Sequence, residues 1–118
     1  MGFHYPNRCF LPLFLTDYRG YMETLLALEY SRPKILCLGH QGYLTGSDVD
    51  KAFRLARSAA ENMLSKIARD EREGDQLAEE IFMEYYKDEF ALYTEDNIRS
   101  VSRLLVRRGR EHLQSLGA

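Results

Sequence analysis

The sequence predicts a mainly α-helical fold with one or two short strands, and three observations carry that reading. Val49, Ala52, Phe53, Ala56, Ala60, Met63, Leu64 and Ile67 follow the i, i+3, i+4, i+7 spacing of an amphipathic helix almost without exception. Three further stretches start at a capping side chain and carry apolar stripes of the same period. Only residues 9–15 and 34–38 are short, apolar runs suited to strands.

Taken in order, residues 1–8 hold a proline, a glycine and an asparagine and read as an irregular lead-in, with His4 a surface histidine. Residues 9–15 read as a short strand or extended segment, which Pro12 confines to an edge or to irregular geometry. Thr16 or Asp17 then caps a first helix to about Ser31, because a side-chain oxygen there satisfies orphan amides. Tyr18, Tyr21, Met22, Leu25 and Leu28 form its stripe, and Gly20 marks a close packing contact. Pro33 ends this helix by pushing Arg32 away from helical angles.

Residues 34–38 read as a strand buried on at least one face, with Cys37 a small core residue. The order helix, turn, strand is the second half of an α/β unit. With only residues 9–15 available as a second strand, that strand is left with an open edge. Such an edge recruits another copy of the chain or is buried under helices.

Ser47 is expected to cap the second helix, with Asp48 and Asp50 complementing its dipole, and the stripe carries it to about Arg72. The run Arg-Asp-Glu-Arg-Glu at 69–73 and Gly74 close it as a solvated turn. Asp75 caps a third helix that buries Leu77, Ile81, Phe82, Tyr85 and Phe90, and Glu79, Glu80, Glu84, Asp88 and Glu89 form its solvent face. Thr94 caps a fourth helix to about Ser115, burying Ile98, Val101 and Leu105, with Leu104, Leu113 and Leu116 as further candidates. Arg103, Arg107, Arg108 and Arg110 suit the negative end of its dipole and face an acidic neighbour, which points to charge pairing within or between subunits. His112 reads as an exposed or packing residue.

The chemistry-bearing stretch is Leu36-Cys37-Leu38-Gly39-His40-Gln41-Gly42-Tyr43-Leu44-Thr45-Gly46, a strand that opens into a loop with a histidine between glycines. Gly39 and Gly42 permit backbone angles that present one side chain to a metal or substrate. His40 therefore has two readings, a metal ligand or a loop residue bonded to backbone, and zinc sites need three or four ligands.

The stretch Pro12-Leu13-Phe14-Leu15-Thr16-Asp17-Tyr18-Arg19-Gly20-Tyr21, the helix after it and the Leu-Gly-His-Gln-Gly core resemble the C-terminal portion of metallo-β-lactamase-superfamily hydrolases over about residues 2–70. The resemblance implies a C-terminal piece of an α/β metallo-β-lactamase-like fold plus a helical extension. Residues 1–73 would be the partial segment and 74–118 the extension, in one compact unit. It also implies that His40 is the last ligand of a zinc or other divalent centre. The superfamily's His-x-His-x-Asp-His cluster does not occur in this sequence. The resemblance thus implies a missing N-terminal catalytic half and a chain that by itself binds metal weakly at most and hydrolyses nothing.

Size and charge fit one small domain: 118 residues with 45% hydrophobic content build a modest core. A net charge of −2 argues against general nucleic-acid binding. No apolar run reaches the ~20 residues of a membrane span, so a cytoplasmic chain with no membrane partner is expected, and two cysteines are compatible with that. Two functions follow as expectations. One is a fragment of a metal-dependent hydrolase; the other is a non-enzymatic helical module for homodimerisation or partner binding, through the strand edge or the helices.

Overall fold

A computed structural model describes residues 3, 4, 9–38 and 42–117, with backbone alone for 3, 4, 9, 10, 38, 88 and 89. Its elements are β1 (Phe3–His4), β2 (Cys9–Phe10), α1 (Tyr18–Tyr30), β3 (Ile35–Leu38), β4 (Gly42–Thr45), α2 (Ser47–Arg69), α3 (Gly74–Tyr85), a 3-10 segment (Asp88–Leu92) and α4 (Glu95–Gly117). The described residues are thus mainly helical, with two separate two-stranded antiparallel sheets, β1–β2 and β3–β4.

The helix starts divide between side-chain and backbone solutions. Asp17 caps α1 by accepting from the Gly20 amide, and Thr94 Oγ1 accepts from the Asn97 amide at 3.1 Å at the start of α4. Ser47 is not a cap: it is the first residue of α2, and Gly46 occupies the capping position with φ 59° and no side-chain bond. Asp75 likewise falls inside the first turn of α3, after Glu73. Asp48 and Asp50 in the first turn of α2, and Asp75 in that of α3, still lie where the dipole favours negative charge.

Helix ends are set by local bonding. α2 stops at Arg69 rather than Arg72, because Asp70 turns extended and its carboxylate accepts from the Arg72 amide at 2.9 Å. α3 stops at Tyr85, so Phe90 reaches the core from the separate 3-10 segment. Residues 11–15 are not a strand; only Cys9–Phe10 pairs, with Phe3–His4 in the segment expected to be irregular. Leu11, Pro12 and Phe14 are buried all the same, as an irregular strap laid against the helices.

The main core joins Leu11, Phe14 and Tyr18 to the inner faces of α2, α3 and α4, with Leu77, Ile81 and Leu105 fully covered. Gly109 lets α4 approach α2: a Cβ there would lie 2.6 Å from Ile67 Cδ1. Ser102, also buried on α4, returns its hydroxyl to the Ile98 carbonyl at 2.8 Å, so its oxygen is satisfied. Leu116, a candidate for burial, is 63% exposed, and Leu28 on α1 is 44% exposed. Gly20 meets only the Asp17 carboxylate, so its close contact is with its own cap.

A second, smaller cluster places α1 and the start of α2 around the β3–β4 sheet, through Leu25, Leu44, Val49, Ala52, Phe53 and Ala56. The described residues span 42 × 35 × 19 Å. Since a helix with its side chains is about 10–12 Å across, that thickness allows two layers at most. Much apolar surface is therefore left outside.

Candidate functional site

The stretch singled out from the sequence is a hairpin rather than a strand followed by a loop. β3 pairs antiparallel with β4 in the register Ile35 to Thr45, Leu36 to Leu44, Cys37 to Tyr43 and Leu38 to Gly42. Tyr43, Leu44 and Thr45 are β-favouring residues, and Gly42 enters the strand at φ 89°, where other residues are strained. This corrects the reading of β3 as part of an α/β unit: its partner is its immediate successor, and β4 intervenes before α2.

Strand alternation sorts the side chains. Leu36 and Leu44 face each other toward α1 and α2, and Leu44 is buried. Ile35, Cys37, Tyr43 and Thr45 therefore share the opposite face. Ile35 is 58% and Tyr43 69% exposed, and Cys37 is an exposed thiol rather than the core residue expected. One side of the hairpin is core; the other is an apolar surface open to water.

The two edges of the hairpin differ. β4 packs against α2, with Leu44 set among Val49, Ala52 and Phe53. Among the described residues β3 pairs only with β4, and no backbone hydrogen bond joins it to a helix or loop. In a two-stranded antiparallel ladder every second residue of each strand turns its N–H and C=O outward. Within Ile35–Leu38 there is no charge, proline or bulge of the kind that blunts an edge.

Arg32, Pro33 and Lys34 lead into this edge. Arg32 holds φ at 52° in the turn that closes α1, where its amide donates to the Glu29 carbonyl at 3.0 Å. A depression of about 760 Å³ opens beside it, lined by Glu29, Tyr30, Arg32, Lys34 and Asp50 among others. Tyr30 is 89% exposed. Glu29 is committed to Arg57 of α2: Nη2 donates to Oε2 at 3.1 Å, while Nε lies 3.0 Å from Oε1 without hydrogen-bond alignment.

His40, the metal-ligand candidate, lies outside the described residues, in the segment between β3 and β4. The side chain of His4 lies outside them as well. His112, on α4, is half-buried and packs against Tyr18 with ring centroids 4.6 Å apart and the rings tilted by 44°. Among the described residues no three His, Cys, Asp or Glu side chains gather as a metal would require.

Elsewhere the titratable groups serve the scaffold. The Arg72 guanidinium and amide hold the Asp70 carboxyl down at about 2, and Arg72 also reaches Glu80. Arg99 bridges Glu79 and Glu95, each at 3.0 Å, lies over the Phe82 ring, and keeps the Glu79 carboxyl below the usual carboxylate range. Lys66 reaches Glu84 at 3.3 Å, so the acidic face of α3 is largely paired. The arginines of α4 are divided. Arg108 pairs with Glu111 and donates to the Leu15 carbonyl, Arg110 donates to the Asp70 and Arg72 carbonyls, and Arg103 and Arg107 form no ion pair among the described residues. Burial pushes the Tyr21 hydroxyl up to about 12, against a hydrogen bond to the Leu13 backbone that lowers it.

Compared with known proteins, the chain matches no family model, no curated protein and no solved structure. No helix among the described residues is long and apolar enough to cross a membrane.

Proposed function

We propose that the chain is a non-enzymatic interaction module whose helices hold the β3–β4 hairpin so that a strand from a partner adds to the β3 edge. The observation that carries this reading is a single one: a strand edge that pairs with no other described strand, bordered by an apolar outer face with Ile35 58% and Tyr43 69% exposed. Backbone pairing supplies affinity in such additions, and alternate side chains supply selectivity. The second cluster fixes the hairpin from behind, so little ordering is left for the moment of binding.

The test is an amide-resolved NMR titration with a neutral peptide of alternating valine and threonine. The reading expects shifts confined to residues 34–38 and 42–45, lost when Cys37→Pro removes a ladder position. Shifts scattered over the helices, or none at millimolar peptide, would contradict it.

A second reading has one observation behind it: β3 ends at Leu38, so Gly39 and His40 follow a strand end, as in the resemblance to metallo-β-lactamase hydrolases. On that reading His40 completes a divalent centre whose other ligands another polypeptide segment supplies. Calorimetric zinc titration separates the two: weak binding abolished by His40→Ala supports the hydrolase fragment, and binding unaffected by that change removes it.

A further inference from the structure

The strand that β3 accepts has a chemistry written at the entrance to the edge. We infer that the partner is an extended peptide segment with β-branched or aromatic residues, running antiparallel to β3, whose C-terminal flank is acidic or ends in a free carboxylate. This inference rests on the strand-addition reading and adds to it a direction and a charge.

Antiparallel addition is the direction β4 already takes on the other edge of β3 and the slightly more stable one, and in it the incoming strand's C-terminal end lies beside the N-terminal end of β3. That end is marked by Arg32 and Lys34, both exposed and neither in an ion pair among the described residues. The acids lining the same depression are Glu29 and Asp50, and Glu29 is neutralised by Arg57. Two cations thus stand against one uncompensated carboxylate, and an added anion meets net positive charge. Arg32 holds a positive φ that a glycine adopts at lower cost.

The body of the partner segment is set by the strand itself. Ile35 and Cys37 offer exposed cross-strand neighbours on the outer face, and Leu36 offers a half-buried one on the inner face. β-Branched and aromatic residues gain most from such pairs. A second copy of the chain fits less well: antiparallel pairing of β3 with itself would bring the residues after Leu38, Gly39 and His40, toward Lys34, and neither is an acid.

The experiment uses the full chain, labelled for NMR, and two acetylated peptides of the same composition at low salt. One is Val-Thr-Val-Thr-Val-Glu-Glu and the other Glu-Glu-Val-Thr-Val-Thr-Val, both as C-terminal amides, so that they carry the same charge. The first is expected to shift residues 34–38 and to bind about three- to tenfold more tightly, the scale set by one or two exposed ion pairs. The preference should vanish in the double variant Arg32→Gln, Lys34→Gln, and reappear for a Lys-Lys flank when both become Glu. Equal affinities with shifts at β3 would overturn the acidic, antiparallel partner while leaving strand addition standing. Failure of both peptides to move β3 would overturn both. Concentration-dependent self-association through β3 that neither peptide displaces would overturn the inference in favour of a second copy.

Discussion

Replacing Gly109 by alanine isolates the contact that sets the spacing of α2 and α4. In an exposed helix interior this change stabilises by about 1 kcal/mol, because glycine gives up more backbone entropy. Here the new Cβ would sit 2.6 Å from Ile67 Cδ1, 3.4 Å from its Cγ2 and 3.6 Å from its Cβ. The Cγ2 and Cβ distances are ordinary van der Waals contacts, so the clash is with Cδ1 alone, and Ile67 is 1% exposed, with little free space to turn it into. Overpacking of this kind costs about 1–3 kcal/mol. The net expectation is a loss of about 1 kcal/mol, a fall in Tm of about 4 °C for a domain of this size. Ile67→Val removes Cδ1 and alone costs about 0.5–1.5 kcal/mol. Combined with Gly109→Ala it should be less harmful than the sum, with a coupling of at least about 0.5 kcal/mol in urea denaturation. A rise in stability for Gly109→Ala, or strict additivity with Ile67→Val, would refute the close α2–α4 approach.

Three further expectations concern the ends and turns. Asp17→Ala, which removes the acceptor of the Gly20 amide, should cost about 1 kcal/mol, read as a lower urea midpoint at unchanged slope. Gly46→Ala should cost about 1–3 kcal/mol by the same measurement, although nothing lies within 4 Å of the new Cβ, because its φ of 59° with ψ of −137° is a glycine conformation. Asp70 has a carboxyl lowered to about 2 from an ordinary value of 3.8, so its contribution is full above about 3.8 and is lost as the pH falls through about 2. Tm should therefore fall on acidification through that window, and fall less in Asp70→Asn.

The helices were legible because their periods and caps are local. The stripe from Val49 to Ile67 predicts the buried face of α2 nearly residue for residue, and Asp17 and Thr94 act as caps where their spacing suggests. Boundaries decided by a neighbour's side chain were not legible. Asp70 ends α2 early because Arg72 folds back on it, and neither residue type signals that alone. The hairpin was missed for a different reason: Gly42 and Gly46 bracket only Tyr43, Leu44 and Thr45, and a run that short reads equally well as loop. Once β4 is recognised, the alternation Leu36 in, Cys37 out follows, and with it the correction of Cys37 from core to surface. Of the candidate site, a strand over residues 34–38 was visible in the sequence, but its partner was expected among residues 9–15 and is β4 instead. The outer face was not visible, because the face of β3 is fixed only by pairing with β4. The basic approach at Arg32 and Lys34 was visible as residues but gained meaning only from the free edge beside it.

The account depends most on the outer face of β3 being open to solvent, and the Cys37 thiol reports this directly. In a Cys9→Ser variant, the rate at which Cys37 reacts with an aromatic disulfide reagent under native conditions can be set against the rate in denaturant. A native rate within about tenfold of the denatured one is the expected result, since an exposed thiol needs no opening of the fold. A thiol that reacts only as fast as the chain unfolds would place Cys37 in the core, reverse the two faces of the hairpin and remove the docking surface.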